Sequence, residues 1–369
     1  MKTIFLHIGT PKTGSTTIQK LLSYNRDRLL KLGYFYPFQT FSHGSLVYLA
    51  KNDRCPFDLQ PKSWQEVHDT IDQSECNNII LSSEGFFNLG LNLQHLENLR
   101  QQLDRYYIRI VVFLRRQDLY FDSLYCQHIK TGDISCDIDF YFDWCLQKSK
   151  HQYFDCLLAW KDAFGGNENM CVLPFEKSSI SNLRETFLHA VGIDWDISWM
   201  QNESLNIKPS LDQFRAIKFM NFSFAHYLAY EIPGWHGLSN KFQFSSKIIN
   251  PFLKYSQGWP SPTHYKILPY DKAYQLLEQC ELSNTQIANI FLERSDGQLF
   301  YEELEEYKCE DLSVENLSRD KLIDLCYFLK SHQDRRFQEI GDRSFTPEIR
   351  RLAECKQADE NFAIELGEG

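Results

Sequence analysis

Residues 5–17, read as FLHIGTPKTGSTT, combine the residue types that bind a small anion. A short apolar run leads into a loop bounded by Gly9 and Gly14, and a helical apolar period begins directly after Gly14. A strand that turns into a helix in this way directs several backbone N–H groups, and the positive end of the helix dipole, at one small volume. Lys12 adds a point charge there. Hydroxyl donors follow at Thr13, Ser15, Thr16 and Thr17.

The order of these residues differs from that of a Walker A loop. Gly9 and Gly14 have the Walker spacing, but Lys12 lies two positions before the second glycine instead of directly after it. The magnesium-binding role of the hydroxyl that follows a Walker lysine therefore does not carry over. Residues 1–31 hold six basic side chains and one acidic one, in a chain whose formal net charge is −10. This local balance favours an anion site over the alternative, a Gly/Thr turn that only caps a helix.

The segment HIGTPKTGSTT resembles the 5′-phosphosulfate loop of the sulfotransferases that use 3′-phosphoadenosine 5′-phosphosulfate (PAPS), in the version common among bacterial members. That family also binds the 3′-phosphate with an arginine at a strand end and a serine eight residues later, and Arg115 and Ser123 have this spacing. The resemblance covers about residues 1–195. It implies PAPS as co-substrate, with no metal. The cofactor-binding residues it implies are Pro11, Lys12, Thr13, Gly14, Ser15, Thr16, Thr17, Arg115 and Ser123.

Sulfuryl transfer needs positive charge at the leaving oxygen and a base for the acceptor proton. The resemblance gives Lys12 the first role and offers two candidates for the second. Glu84 follows a strand at the sheet edge where ligands bind in open α/β folds, with a helix-capping role as its alternative. His43 follows the second strand, with a hydrogen-bonded loop histidine as its alternative. Arg116 could bind the 3′-phosphate or form a structural ion pair, whereas His7 is expected to be structural.

Short apolar runs alternate with helical patterns through the first half, which predicts an α/β fold: a three-layer sandwich, P-loop-like, with a mostly parallel central sheet. A largely helical C-terminal region follows. The predicted strands are Thr3–Ile8, Gly33–Pro37, Asn78–Ser83, Ile108–Leu114 and Met170–Phe175. The predicted helices run from Gly14 to Lys31 and over Leu91–Leu103, Ser181–Val191, Asn206–Asn221 and Tyr270–Arg294.

We expect two parts: residues 1–195 as the PAPS-binding core, and residues 196–369 as a helical and aromatic-rich extension that completes the fold and the acceptor site. The aromatic segment Tyr230–Pro269 either encloses an acceptor or packs a helical subdomain, and packing is favoured. The acidic run Glu293–Glu310 is expected to form a solvated helical face.

The whole chain has 39 basic and 49 acidic residues, which argues against nucleic acid as a partner. Eleven cysteines without a C-x-x-C pair give no metal or redox motif. With no apolar run of 18 residues, we expect a soluble, cytoplasmic protein without an integral membrane segment; its oligomeric state is not indicated. The expected partner is a small-molecule or glycan acceptor, a carbohydrate or glycolipid on the family resemblance. The alternatives are a P-loop ATP-dependent kinase and a noncatalytic nucleotide-binding protein.

Overall fold

The structure is a computed structural model that describes residues 1–55, 61–134, 136–147, 152–196, 198–199, 209–231, 248–262, 264–333 and 335–365. Within these residues one five-stranded sheet has the order β2-β3-β1-β4-β5, and every neighbouring pair is parallel. The strands are β1 (Thr3–His7), β2 (Tyr34–Phe35), β3 (Asn78–Ser82), β4 (Tyr107–Arg115) and β5 (Met170–Phe175).

Parallel neighbours need crossover connections, and helices supply them here. In chain order the helices are α1 (Ser15–Tyr24), α2 (Arg26–Lys31), α3 (Gly44–Lys51), α4 (Trp64–Asp72), α5 (Leu93–Leu103), α6 (Gln117–Lys130), α7 (Ile138–Gln147), α8 (Tyr153–Ala163), α9 (Lys177–Ile180), α10 (Leu183–Ala190), α11 (Leu211–Glu231), α12 (Asn250–Tyr255), α13 (Tyr270–Phe291), α14 (Arg319–Lys330), α15 (Arg335–Arg343) and α16 (Pro347–Glu365). Single 3₁₀ turns lie at Phe87–Leu91, Asn167–Asn169 and Val314–Asn316.

The central strand β1 is buried on both faces, as its nearly continuous apolar sequence predicts. Ile4 and Leu6 belong to a core that also contains side chains of α3, α5 and α8. Phe5 points the other way, into a second core with side chains of α1 and α10. Helices therefore cover both faces of the sheet, and the predicted α/β sandwich is confirmed.

The chain divides into two compact units. The first, which contains the sheet, is Met1–Tyr120, Cys145–Leu205 and Asp271–Glu305. The second is Phe121–Trp144, Asn206–Tyr270 and Glu306–Gly369, and its described residues form helices and loops. The division at residue 195 concerns where nucleotide and acceptor bind, and it stays a prediction.

Each of the five predicted strands lies within a residue or two of its predicted position. The helix predicted from Gly14 to Lys31 is interrupted at Asn25, so that it forms α1 and α2. Of the aromatic segment 230–269, residues 232–247 and 263 lie outside the described residues. Two of its described aromatics have packing roles, since Trp259 Nε1 donates to Asp324 and the Tyr265 hydroxyl donates to the Pro209 carbonyl.

The helical face predicted for Glu293–Glu310 is wrong. After α13 ends at Phe291, no helix or strand forms until the 3₁₀ turn at Val314. Side chains bind several backbone groups of this segment instead. Arg294 donates to the carbonyls of Gln298 and Leu299, and Glu176 accepts the N–H groups of Tyr301 and Glu302. No described helix is both long and apolar enough to cross a membrane.

Candidate active site

Polar residues follow three adjacent strands, β3, β1 and β4, at the ends where those strands leave the sheet. Parallel strands end at the same edge, so Glu84, the loop Gly9–Gly14 and Arg115 come from neighbouring positions of one edge. Ligands bind outside this carboxyl edge in open parallel sheets. All three segments belong to the first unit.

The loop after β1 is fastened to β4 by Thr10. Its backbone N–H and its hydroxyl both donate to the Phe113 carbonyl, at 3.3 and 3.0 Å. The Thr13 hydroxyl donates to the Thr10 carbonyl at 2.7 Å. Lys12 has a φ of 69°, in the left-handed region that side chains other than glycine rarely adopt. Strained backbone of this kind costs on the order of 1–3 kcal/mol and is concentrated at functional sites.

Gly14 begins α1 and cannot be replaced without strain. Its φ is 78°, and a Cβ at this position would lie 2.3 Å from Leu183 Cδ2. No acidic residue occupies the first turn of α1 and no side chain caps it. The first backbone N–H groups of a helix have no partner within the helix, so this N-terminus is available to an external anion.

Two buried polar atoms at this loop have no hydrogen-bond partner: Ser15 Oγ and His7 Nε2. Ser15 is 2% exposed and His7 is fully buried. Buried polar atoms are nearly always paired, because leaving one unpaired costs about 1–3 kcal/mol. Both atoms therefore fit a site that a ligand completes.

The structure links Arg115 to Lys12 through the backbone. Arg115 Nη1 donates to the Lys12 carbonyl at 3.0 Å, and the guanidinium carbon lies 5.8 Å from the centre of the Phe175 ring. The Tyr153 hydroxyl donates to the Arg115 carbonyl at 3.0 Å. Two of the predicted binding residues therefore meet.

Arg116 has the structural role. Its guanidinium forms a two-pronged pair with Asp118, with Nε–Oδ1 at 2.7 Å and Nη2–Oδ2 at 3.0 Å. Its Nη1 donates to the Glu302 carbonyl at 2.6 Å. Both partners are buried, and the pair fixes the start of α6.

Glu84 lies in a turn directly after β3. Its side chain is accessible to solvent, but the protein around it desolvates the carboxyl enough to raise its pKa above the ordinary value. The positive charge of Lys12 opposes this rise in pKa. Lys12 and Glu84, predicted from different strands, are therefore electrostatic neighbours.

The geometry of His43 favours the hydrogen-bonded alternative. Its Nδ1 accepts from the Ser82 N–H at 2.9 Å, and its Nε2 lies 2.8 Å from the Pro37 carbonyl, to which it donates. Burial lowers the pKa of the ring to about 4. Because the lone pair of Nδ1 is engaged and the ring is fully buried, His43 is not retained as the base.

The other predicted residues are placed as follows. Pro11 and Thr17 are partly buried and Thr16 is exposed, all at the loop or in the first turn of α1. Ser123 is partly buried on α6 and belongs to the second unit. Its proposed role beside Arg115 stays a prediction.

Sequence reasoning missed a group of polar partners behind the loop. Gln19 on α1 donates to Ser82 Oγ at 3.3 Å, and Ser82 Oγ lies 2.8 Å from His7 Nδ1. One signal was available, because Gln19 lies beside Ile18 on the apolar face of α1 and is 7% exposed. A polar residue at a core position needs a buried partner.

Among the described residues, no group of three His, Cys, Asp or Glu side chains is placed to hold a metal ion.

No family model matches the chain. An uncharacterized protein of Archaeoglobus fulgidus is 35% identical over 121 residues, so the match spans 31% of this chain and 30% of that protein's length. The crystal structure of a sulfotransferase from Alicyclobacillus acidocaldarius aligns with 62% of this chain and 96% of its own, with 13% identity and a TM-score of 0.37. The function is therefore argued from the site itself.

Proposed function

We propose that this protein is a sulfotransferase that moves the sulfuryl group of PAPS to a hydroxyl or amine of an acceptor. One observation carries the proposal: a strained, glycine-bounded loop after the central strand carries Lys12, whose carbonyl accepts from Arg115 and whose charge acts on Glu84. An anion-binding loop, a cation for the leaving group and a base for the acceptor proton, here a carboxylate, are the three parts that sulfuryl transfer requires.

The residues of the loop fit a bound phosphosulfate. The N-terminus of α1 has no acidic residue in its first turn, and the buried Ser15 hydroxyl has no partner. PAPS, when bound, supplies an activated sulfuryl group on a phosphate leaving group. Lys12 and residues 13–17 would hold the 5′ end, and Arg115 with Ser123 would hold the 3′-phosphate.

Lys12 is the residue that we assign to the leaving oxygen. Negative charge grows on that oxygen in the transition state, and a fixed cation stabilises it there more than in the ground state. The carbonyl of Lys12 accepts from Arg115, which fixes the backbone that carries this side chain. A lysine suits the role because its ammonium is a compact point charge.

Glu84 is the residue that we assign to the acceptor proton. Its raised pKa makes its carboxylate a stronger base than an ordinary glutamate, and the charge of Lys12 opposes that rise in pKa. A carbohydrate or glycolipid remains the proposed acceptor class, on the family resemblance alone.

The test is an untargeted mass-spectrometric search for molecules in cell extract that gain one sulfonate group when PAPS and the protein are added. The Lys12→Ala protein serves as the matched control. Sulfonated products that form only with the wild-type protein support the proposal. If the wild-type protein forms none and instead consumes ATP–Mg in the same extract, the kinase alternative is supported and the proposal fails.

A further inference from the structure

The floor of the anion loop holds two polar atoms that face one position. A Cβ on Gly9 would lie 2.9 Å from Ser15 Oγ and 3.1 Å from His7 Nε2. Both atoms are buried and neither has a hydrogen-bond partner. His7 comes from β1 and Ser15 from α1, so the loop itself brings them to the same side of Gly9.

The hydrogen bonds behind His7 fix which of its nitrogens carries the proton. The Gln19 amide donates to Ser82 Oγ at 3.3 Å, so Ser82 is an acceptor on that side. The remaining Ser82 contact is His7 Nδ1 at 2.8 Å. If Nδ1 carried a proton, Ser82 would accept twice and its own buried hydroxyl hydrogen would have no acceptor among these groups. Ser82 therefore donates to Nδ1.

Burial lowers the pKa of His7 to about 3, so the ring is neutral at neutral pH and carries one proton. With Nδ1 accepting, that proton is on Nε2. The rings of Phe113 and Phe187 lie edge-on to the imidazole at 6.1 and 5.3 Å and offer Nε2 no acceptor. An N–H donor in apolar surroundings is thus directed at the floor of the loop.

We propose that His7 is a positioning residue of the anion site: in the ligand-bound protein its Nε2–H donates a hydrogen bond to the Ser15 oxygen, and the Ser15 hydroxyl donates a hydrogen bond to the anion. This inference rests on the proposed function. The series of hydrogen bonds begins at an amide N–H of Gln19 and runs through Ser82, His7 and Ser15, with every donor pointing in the same direction. It therefore ends on a donor and selects a fully ionised oxyanion over a ligand oxygen that carries a proton.

The first test measures the tautomer of His7 in protein labelled with ¹⁵N-histidine. Two-bond ¹H–¹⁵N correlation spectra distinguish an imidazole protonated on Nε2 from one protonated on Nδ1, and the His7→Gln variant assigns the signals. We expect the Nε2–H form in the free protein. Addition of 3′,5′-ADP should then shift the Nε2 signal of His7. An Nδ1–H form, or a His7 signal that does not move when the nucleotide binds, would overturn the proposal.

The second test reverses the direction of these hydrogen bonds. Gln19→Glu replaces the terminal donor by an acceptor, so Ser82 turns its proton to the new carboxylate and His7 changes to the Nδ1–H form. The affinity for 3′,5′-ADP should fall about tenfold or more, the share of one hydrogen bond to a charged group. Gln257→Glu adds the same charge at an exposed position and should leave the affinity unchanged. Ser82→Ala, which adds no charge, should give a mixture of tautomers. Wild-type affinity and an Nε2–H ring in Gln19→Glu would contradict the proposal.

Inorganic pyrophosphate separates this inference from the proposed function. If pyrophosphate shifts the His7 signal while 3′,5′-ADP does not bind, the PAPS assignment fails and the role of His7 at an anion site stands. If the wild-type protein binds neither compound, the anion site fails and this proposal fails with it.

Discussion

The segments that follow β1 and β4 begin side by side in the sheet, and each contains a cation close to the strand end. After β4, Arg116 makes three hydrogen bonds, two to the Asp118 carboxylate and one to the Glu302 carbonyl, all to protein groups. After β1, Lys12 has strained backbone, and the buried Ser15 hydroxyl has no partner. The first arrangement is complete without a ligand, whereas the second is not.

This difference teaches how to separate structural from functional charge at one sheet edge. Residue type alone does not do so, because arginine and lysine at strand ends serve both purposes. The hydrogen bonding of the surrounding polar groups makes the distinction. Paired polar groups stabilise the free protein, whereas unpaired buried ones destabilise it until a ligand binds. The variants below test this contrast, from the largest expected effect to the smallest.

Lys12→Ala should have the largest effect on turnover. Removing one charge from the developing leaving oxygen costs about 10²–10³ in rate in comparable sites, and we expect a loss of at least about 10³ because the lysine is charged. Thermal unfolding should change little, because Lys12 lies in a loop and is only partly buried. Lys31→Ala, at an exposed lysine of the same basic N-terminal segment, is the control and should keep wild-type turnover. Equal turnover in the two variants would contradict the role of Lys12.

Glu84→Gln should lower kcat by about 10²-fold, within the range for loss of a general base. In the wild-type protein kcat/KM should fall as the pH drops through the raised pKa of Glu84, because only the carboxylate accepts a proton. The fall should begin at a higher pH than for an ordinary glutamate. Steady-state rates between pH 4 and 8 check this. A pH profile that is the same in Glu84→Gln would show that another group is the base.

Arg115→Ala should lower ligand affinity and Asp118→Ala should lower stability, which sharpens the contrast between the two kinds of cation. Arg115→Ala should weaken 3′,5′-ADP binding by about 10–100-fold, the range of a lost charged hydrogen bond, with a small change in stability. Asp118→Ala leaves the buried Arg116 without its carboxylate and should lower the free energy of unfolding by about 3–5 kcal/mol.

Calorimetric titration measures the 3′,5′-ADP affinity of both variants, and urea unfolding measures their free energy of unfolding. Ser123→Ala extends the comparison, since the resemblance predicts that it too weakens binding. If Asp118→Ala lost affinity without losing stability, Arg116 would belong to the binding site.

His43 should act through stability and give the smallest effect on turnover. Its pKa is lowered to about 4 in the folded protein, so between pH 6.5 and 4 the unfolded chain binds the proton first. The free energy of unfolding should therefore fall as the pH decreases through this window, by at most about 1.4 kcal/mol per pH unit for one histidine. Urea unfolding of His43→Gln should show a flatter pH dependence, with the part due to His7 retained. A loss of turnover of 10²-fold in a stable His43→Gln protein would restore it as the base.

The sequence predicts the strands of the central sheet and the loop after the first strand well, because both leave a local pattern. Strands buried on both faces leave continuous apolar runs, as in Thr3–His7 and Asn78–Ser82, and a loop with Gly9 and Gly14 marks the turn between strand and helix. The sequence also places Lys12, Arg115 and Glu84 at strand ends, because parallel strands share one edge.

Roles that depend on partners distant in the chain could not be predicted. Arg116 and Glu302 are 186 residues apart, and His43 and Ser82 are 39 apart, so no local pattern announces either contact. The prediction of a helix for Glu293–Glu310 was wrong for the same reason. The charge pattern of this segment favours a helix, but the Glu176 carboxylate, directly after β5, accepts the backbone N–H groups of Tyr301 and Glu302 that a helix would pair internally.

The most direct test of the account is a calorimetric titration of the wild-type protein with 3′,5′-ADP and, separately, with ATP–Mg. The account predicts tight binding of 3′,5′-ADP that is weakened in Arg115→Ala and is far stronger than binding of ATP–Mg. Tight binding of ATP–Mg with no heat from 3′,5′-ADP would contradict it.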